Sequence, residues 1–263
     1  MPRVIPEAMS AWLAVLAFAV IAGAAGLIGV WLMSRHEVWA RRHTPELITF
    51  ASGLLVAGSL LHLLARAGEM AGEMAALGWA LAAFVVLYVS ENHFLPHPHA
   101  RVEEDCGHLH AHSPEGFGWA SIAGLALHAA LDGIAVGAGF SASYVTGSVI
   151  VALVVSHKLP VGIASMGVLY HGGVERRRAV RYSAGVALVT PMAVLASYGF
   201  LRGAGTDVLG IFVAAAAGSF LYVGAADLLP EGQASAPGRN TFAFLLGVAV
   251  TVAVLFILPH DVV

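Results

Sequence analysis

The segment FGWASIAGLALHAALDGIAVGAGF, residues 117–140, predicts a transmembrane helix. It exceeds the roughly 20 apolar residues that a helix needs to cross a bilayer, and its ionisable side chains are His128 and Asp132. Seven further segments have a similar composition: 8–33, 47–64, 74–92, 145–169, 180–201, 208–229 and 242–258. Together with 117–140 these segments are numbered in chain order as spans one to eight. They predict an all-α polytopic membrane protein, a bundle of eight transmembrane helices.

Composition supports this class, because 59% of the residues are hydrophobic and 11% are charged, against roughly 25% charged in soluble domains. We expect one transmembrane domain over residues 1–263, with the lipid bilayer as a partner and no nucleic acid, since long basic tracts are absent from the sequence. The first segment is too long for a signal-peptide core, so we expect it to be retained as a span. Cys106 is the one cysteine, which excludes an intrachain disulfide.

Arginines indicate the orientation, because short cytoplasmic loops are enriched in them. If the loops after spans one, three, five and seven share a side, nine arginines lie there: Arg35, Arg41, Arg42, Arg101, Arg176, Arg177, Arg178, Arg181 and Arg239. The opposite side holds three, Arg3, Arg66 and Arg202. Nine against three predicts that the first side is cytoplasmic and that both termini lie on the outer face.

The loop between spans three and four, at about 93–115, is rich in histidine and would be cytoplasmic. Besides His93 and the acids Glu103, Glu104 and Asp105, it carries His97, His99, His108, His110 and His112. Its polar residues, prolines and glycines leave little to bury, so we expect it to be loosely ordered. HxH pairs favour weak metal capture by those five histidines; the alternative is a solubilising linker.

Ionisable side chains within spans are costly and tend to mark transport paths. The inventory is His62, Glu91, His128, Asp132, His157, Lys158, Asp227 and Glu231. His128 and Asp132 are four residues apart, so they lie on one face of a helix. The alternative to a functional site is a hydrogen-bonded pair that satisfies itself within span four.

Span five adds a second histidine, His157, in the stretch VVSHKLPVG, residues 154–162. A short connection makes spans four and five antiparallel neighbours, so His157 can approach His128 and Asp132. Two imidazoles and one carboxylate suit a divalent transition metal such as zinc. Pro160 leaves the carbonyl of Ser156 without its helical partner, as Pro191 does for Ala187 in span six; a packing kink is the alternative at Pro191.

These motifs resemble the ZIP (Zrt/Irt-like) family of divalent metal transporters. The resemblance rests on ASGLLVAGSLLHLL (51–64), HAALDGIAVG (128–137), SHKLPVG (156–162) and AAGSFLYVGAADLLPE (216–231), with the histidine-rich loop between spans three and four. It implies transport of zinc toward the cytoplasm, with cadmium, iron or manganese as alternatives. It also implies metal ligands at His128, Asp132 and His157, and a pathway residue at His62.

The resemblance further implies that metal is the substrate and that no cofactor is needed. We expect a plasma membrane or bacterial inner membrane, and a homodimer is a candidate assembly. Glu91, Lys158, Asp227 and Glu231 are further candidates for the pathway.

Three residues depart from the family pattern. Lys158 and Val161 stand where many members have carboxylates, which removes most of a second metal site. A buried lysine needs an acidic partner, and Asp132 is the expected one, with Glu91 and Asp227 as alternatives. We therefore predict one ion per site. Arg66 stands where an acid is common at the end of span two.

Two other classes of protein would also use histidine and aspartate ligands. An intramembrane zinc hydrolase needs a metal-bound water with an acid or base nearby, and the sequence lacks HExxH. A metal sensor would bind the ion without flux. We expect a transporter and not an enzyme.

Overall fold

The computed structural model describes residues 7–93, 114–171, 174–233 and 237–257, and these ranges contain helices but no strand. Six spans are single α-helices: span one Glu7–Arg35, span three Glu73–His93, span four Pro114–Ala142, span five Tyr144–His171, span six Arg176–Leu201 and span eight Pro237–Ile257. Span two comprises Glu37–Gly58, a π-helical turn Ser59–Leu63 and Leu64–Ala71. Span seven comprises Thr206–Tyr222, a second π-helical turn Val223–Leu228 and Leu229–Gln233.

Within the described ranges, eight helices are long and apolar enough to cross a membrane. The predicted fold class is therefore confirmed, while the outer location of both termini stays a prediction. The loop histidines, His97, His99, His108, His110 and His112, lie outside the described residues, as do the side chains of Glu91 and Glu231.

Span two is longer than its apolar segment, 47–64, because the helix begins at Glu37 and ends at Ala71. The residues added at its start, 37–46, are mostly polar, so hydropathy alone places them outside the span. Their backbone nevertheless stays helical through Pro45, since a helix satisfies its own amide groups. The helix ends at Gly72, whose φ of 87° lies in the region that favours glycine.

The eight spans form two groups of four. Spans one, four, five and six make their most extensive contacts with one another, and so do spans two, three, seven and eight. The groups meet where span two contacts span five and where span four contacts span seven. The three side chains proposed as ligands within the bundle, His128, Asp132 and His157, therefore lie in the first group, beside this boundary.

Spans one and five approach each other closely beside Lys158. A Cβ on Gly29 would collide with the carbonyl oxygen of Leu159, and one on Gly162 would collide with that of Gly26. Small residues at such crossings let backbones touch. This contact fixes span five at the level of the candidate metal ligands.

Candidate metal centre

Spans four and five are joined by one residue, Ser143, which places them side by side and antiparallel. The amide of Thr146 donates to Ser143 Oγ at 3.0 Å and so caps the start of span five. His128 and Asp132 on span four consequently face His157 on span five. Among the described residues, these three form the one group whose ligand atoms could share a metal ion.

Their three ligand atoms form a nearly equilateral triangle. His128 Nε2 lies 3.3 Å from His157 Nε2, and Asp132 Oδ2 lies 3.1 Å from His157 Nε2 and 3.4 Å from His128 Nε2. Ligands about 2.0–2.1 Å from a tetrahedral zinc ion are separated from one another by about 3.3 Å. The triangle thus has the dimensions of one face of a zinc tetrahedron.

The hydrogen bond of the other His157 nitrogen assigns its tautomer. Nδ1 lies 3.0 Å from the carbonyl oxygen of Leu153, one turn earlier in span five. A carbonyl only accepts, so we assign the proton to Nδ1, and the lone pair of a neutral ring then lies on Nε2. Two acceptors, Nε2 and Asp132 Oδ2, consequently face each other, an arrangement that a metal ion or a proton between them stabilises.

Lys158 is the fourth charged or ionisable group at this centre. Its Nζ donates to Asp132 Oδ2 at 2.6 Å, and its side chain is 2% exposed. The ammonium therefore balances the carboxylate when the site is empty. A metal ion that binds Oδ2 must share that oxygen with the Lys158 ammonium or displace the ammonium from it.

The centre is accessible mainly at His128, whose side chain is 17% exposed, against 1% for Asp132 and 0% for His157. His128 lies one turn from Asp132 toward the N-terminal end of span four. Beyond Asp132 the bundle is filled by a hydrophobic cluster that includes Val136 and Phe220. In this conformation the ligands are therefore open on the His128 side of span four and closed on the Val136 side.

Span six supports the ligands of span four through two hydroxyl groups that we did not single out from the sequence. Thr190 Oγ1 donates to the carbonyl of Ala129 at 2.9 Å, and Ser197 Oγ donates to that of Gly133 at 3.1 Å. These carbonyls belong to the residues that directly follow His128 and Asp132. The seven-residue spacing of Thr190 and Ser197 puts both on one helix face, a signal that could have identified them.

Thr190→Val tests this support, since valine keeps the volume and removes the donor. We expect a several-fold rise in the metal concentration that half-saturates flux, with a smaller change in maximal rate, because the ligands remain but are held less tightly. Thr190→Ser, which keeps the hydroxyl, should stay close to the unmodified protein. Equal effects of valine and serine would contradict a positioning role.

His62 does not join the metal centre but lies elsewhere at the boundary between the groups. It sits in the π-helical turn Ser59–Leu63 and is 1% exposed, and neither ring nitrogen has a hydrogen-bond partner among the described residues. A π-helical turn often accompanies a functional position. A buried imidazole with two unsatisfied nitrogens is costly unless a water molecule or an ion visits it.

Helix contacts give the depth of His62 relative to His157. A Cβ on Gly58 would collide with the Leu153 side chain, so spans two and five cross there. These spans are antiparallel, and His62 and His157 each follow the crossing by four residues. They therefore lie on opposite sides of the crossing, about 12 Å apart along the bundle axis.

Asp227 lies further along the bundle axis than His157, on the side of the metal centre opposite to His62. Ser52 Oγ donates to the carbonyl of Gly224 at 2.7 Å, which sets the level of span seven against span two. Asp227, half-buried in the second π-helical turn, is then about 7 Å further along the bundle than His157. The order in depth is His62, the metal centre and Asp227.

The chain is similar to proteins that are named as zinc transporters. The family model described as "ZIP Zinc transporter" matches residues 90–255. "Zinc transporter ZIP9-B" of Xenopus laevis is 34% identical over 115 residues, which cover 41% of this chain and 38% of that protein. "Zinc transporter ZIP9" of Macaca fascicularis is 33% identical over 115 residues, covering 41% of this chain and 49% of its own length.

A third relative, "Zinc transporter foi" of Drosophila melanogaster, is 28% identical over 152 residues, covering 56% of this chain and 21% of its own length. The matched region thus spans less than half of each of these three relatives. All three names describe transporters, which favours transport over the hydrolase alternative.

Proposed function

This chain belongs to the ZIP zinc transporter family, and we propose that it carries zinc, or a related divalent transition-metal ion, across the membrane toward the cytoplasm. The observation that carries the proposal is the triangle of His128 Nε2, Asp132 Oδ2 and His157 Nε2, with sides of 3.1–3.4 Å. These residues would be the ligands of the moving ion.

Three protein ligands leave the fourth position of a zinc tetrahedron to water. An ion can then exchange its hydration shell for the ligands in steps and recover it on leaving. Zinc, the Asp132 carboxylate and the Lys158 ammonium together carry a formal charge of +2 in a buried site. Such a charge favours brief occupancy, which suits a transporter that must release its substrate.

Polar side chains at two other depths support a path through the boundary between the groups. His62 lies about 12 Å from His157 toward one membrane face, and Asp227 lies about 7 Å from it toward the other. Under the predicted orientation, His62 is on the outer side and Asp227 on the cytoplasmic side. We propose that His62 receives the ion before the metal centre and that Asp227 follows it.

Flux into liposomes tests the proposal. Purified protein is reconstituted into liposomes, zinc, cadmium, iron(II), manganese, magnesium and calcium are added outside in turn, and the metal retained inside the washed vesicles is measured by elemental analysis. We expect uptake of zinc and cadmium above that of empty liposomes and little uptake of magnesium or calcium, because imidazole favours the softer ions. Zinc binding by calorimetry without any flux would refute transport and favour a sensor.

His62→Ala should lower zinc flux severalfold while leaving equilibrium zinc binding at the ligand triangle unchanged, because His62 is proposed to lie on the path but is about 12 Å from His157 along the bundle. His43→Ala, a histidine near the start of span two whose Nδ1 contacts the Trp39 carbonyl, is the matched control. Unchanged flux in His62→Ala would remove His62 from the path.

Deletion of residues 97–112 should leave transport measurable. These residues include the five loop histidines proposed for metal capture, and their polar composition predicts that they lie outside the membrane path. We expect a changed apparent affinity for zinc and a maximal flux within about twofold of the intact protein. Loss of all flux in a protein that still folds would contradict this assignment.

For location and assembly we propose a plasma membrane or bacterial inner membrane and a homodimer. Spans three and eight support a second copy, because only 11% and 17% of their apolar windows are buried, against 61% for spans two, five and seven. Light scattering of the purified protein in detergent would distinguish a dimer from a monomer.

A further inference from the structure

Four arginines at the start of span six form a strongly positive surface. Arg176, Arg177, Arg178 and Arg181 are all exposed, and the first turn of this helix contains no acidic residue. Helix N-termini carry partial positive charge, so basic residues there are unfavourable without an anion. Hydropathy places Arg176, Arg177 and Arg178 before span six, which it begins at residue 180, but the structure puts them on the helix itself.

The described part of the chain supplies little compensating charge to this cluster. Among the described residues, the carboxylate paired with it is Glu175, which lies 3.9 Å from Arg178, and both side chains are 68% exposed. Exposed pairs of this kind contribute little. Arg176 donates to the backbone carbonyl of Ser34 at the end of span one, a contact that adds no negative charge. An external anion therefore has an unneutralised surface to bind.

The same helix face continues as an apolar, exposed stripe. Arg177, Arg181, Gly185, Leu188 and Met192 follow one another at spacings of three and four residues, so they lie on one side of span six. Leu188 is 47% exposed and Met192 is 70% exposed. A Cβ on Gly185 would meet no atom within 4 Å, so the stripe has an open notch one turn above Arg181.

The length of the stripe matches one leaflet. From Arg181 to Met192 the helix rises about 16 Å, which is about half of a 30 Å hydrocarbon core. A phospholipid whose phosphate lies at the arginines would therefore have an acyl chain beside Gly185, Leu188 and Met192.

We infer that this face of span six is a binding site for one anionic phospholipid, with its phosphate on Arg177 and Arg181 and an acyl chain along Gly185–Met192. The arginine side chains supply the charge, and the apolar stripe distinguishes a whole lipid from a free phosphate ion. Arg176 and Arg178 flank the headgroup and strengthen the local positive potential.

Thermal unfolding of the purified protein in a neutral detergent tests this site. The probes are phosphatidylglycerol, phosphatidylcholine with identical acyl chains, and inorganic phosphate. We expect phosphatidylglycerol to raise the midpoint by a few degrees, as a ligand of the folded state does, and the other two to have little effect. An equal rise with phosphatidylcholine, or with inorganic phosphate, would overturn the proposal.

Two double variants remove equal charge at opposite ends of the bundle. R177Q/R181Q should lose the phosphatidylglycerol shift, whereas R66Q/R202Q, the matched control, should keep it. Retention of the shift in R177Q/R181Q would overturn the site.

Two further variants test the acyl-chain notch at Gly185 and the acidic loop as an alternative occupant of the arginines. G185F fills the notch without changing charge and should weaken the phosphatidylglycerol shift; an unchanged shift would refute the acyl-chain placement and the proposal of a whole phospholipid. Neutralising the loop acids, as E103Q/E104Q/D105N, should leave the shift as it is. A shift that appears only in this variant would show that the loop occupies the arginines, and would overturn the lipid site.

Discussion

Asp132→Asn should reduce zinc flux by at least ~100-fold, beyond the roughly 10–100-fold effect of losing an outer-shell partner at a metal site. Asparagine keeps the shape of the side chain but removes the anion that His128, His157 and Lys158 all approach at Oδ2. The metal would then have two neutral ligands beside an ammonium. Initial uptake rates into liposomes, over a range of zinc concentrations, measure the loss.

Loss of flux through misfolding must be separated from loss of a ligand, because the substitution leaves Lys158 buried and unpaired. The double variant Asp132→Asn/Lys158→Met restores charge balance and should recover thermal stability without recovering flux. His128→Ala and His157→Ala should also lose flux. Asp207→Asn and His36→Ala, at exposed positions, are the matched controls. Normal flux in the Asp132 variant would refute the proposed site.

Lys158→Met should tighten zinc binding by tenfold or more without raising the number of ions bound. Unit charges 4 Å apart interact by about 4 kcal/mol at an effective dielectric constant of 20, so removing a nearby ammonium strongly favours a divalent cation. The metal-free variant should be less stable by about 3–5 kcal/mol, because Asp132 loses its partner. Calorimetry and thermal unfolding, each with and without zinc, measure both effects.

Lys158→Glu should permit a second ion beside the first. It places a carboxylate at a position where many family members have one, next to Asp132. Anomalous diffraction at the zinc edge would count the ions in both proteins. Two adjacent, well-occupied ions in the unmodified protein would refute the single-ion proposal.

Local spacing made the core of the candidate site predictable. His128 and Asp132 share a face because they are four residues apart, and His157 reaches them because spans four and five are consecutive. The contact between Lys158 and Asp132, expected because a buried ammonium needs an acid, is present at 2.6 Å. Each of these inferences depended on one helix or on a pair of neighbouring helices.

Features that depend on distant helices were not predictable in the same way. The seven-residue spacing of Thr190 and Ser197 marks a shared helix face, but it does not show that Thr190 lies against Ala129, 61 positions away. The π-helical turn at His62 adds a residue to one turn without an obvious composition signal. The polar start of span two was missed because helical hydrogen bonding continues where apolar composition stops.

Burial of Lys158 has a consequence for chemical labelling, because it is the single lysine in the sequence. Amine-reactive reagents find no lysine on the protein surface, since this side chain is 2% exposed and hydrogen-bonded. Any acylation of a lysine must therefore occur at the metal centre, after Lys158 has separated from Asp132 and a path for the reagent has opened. The rate at which Lys158 is acylated therefore measures how often the metal centre opens.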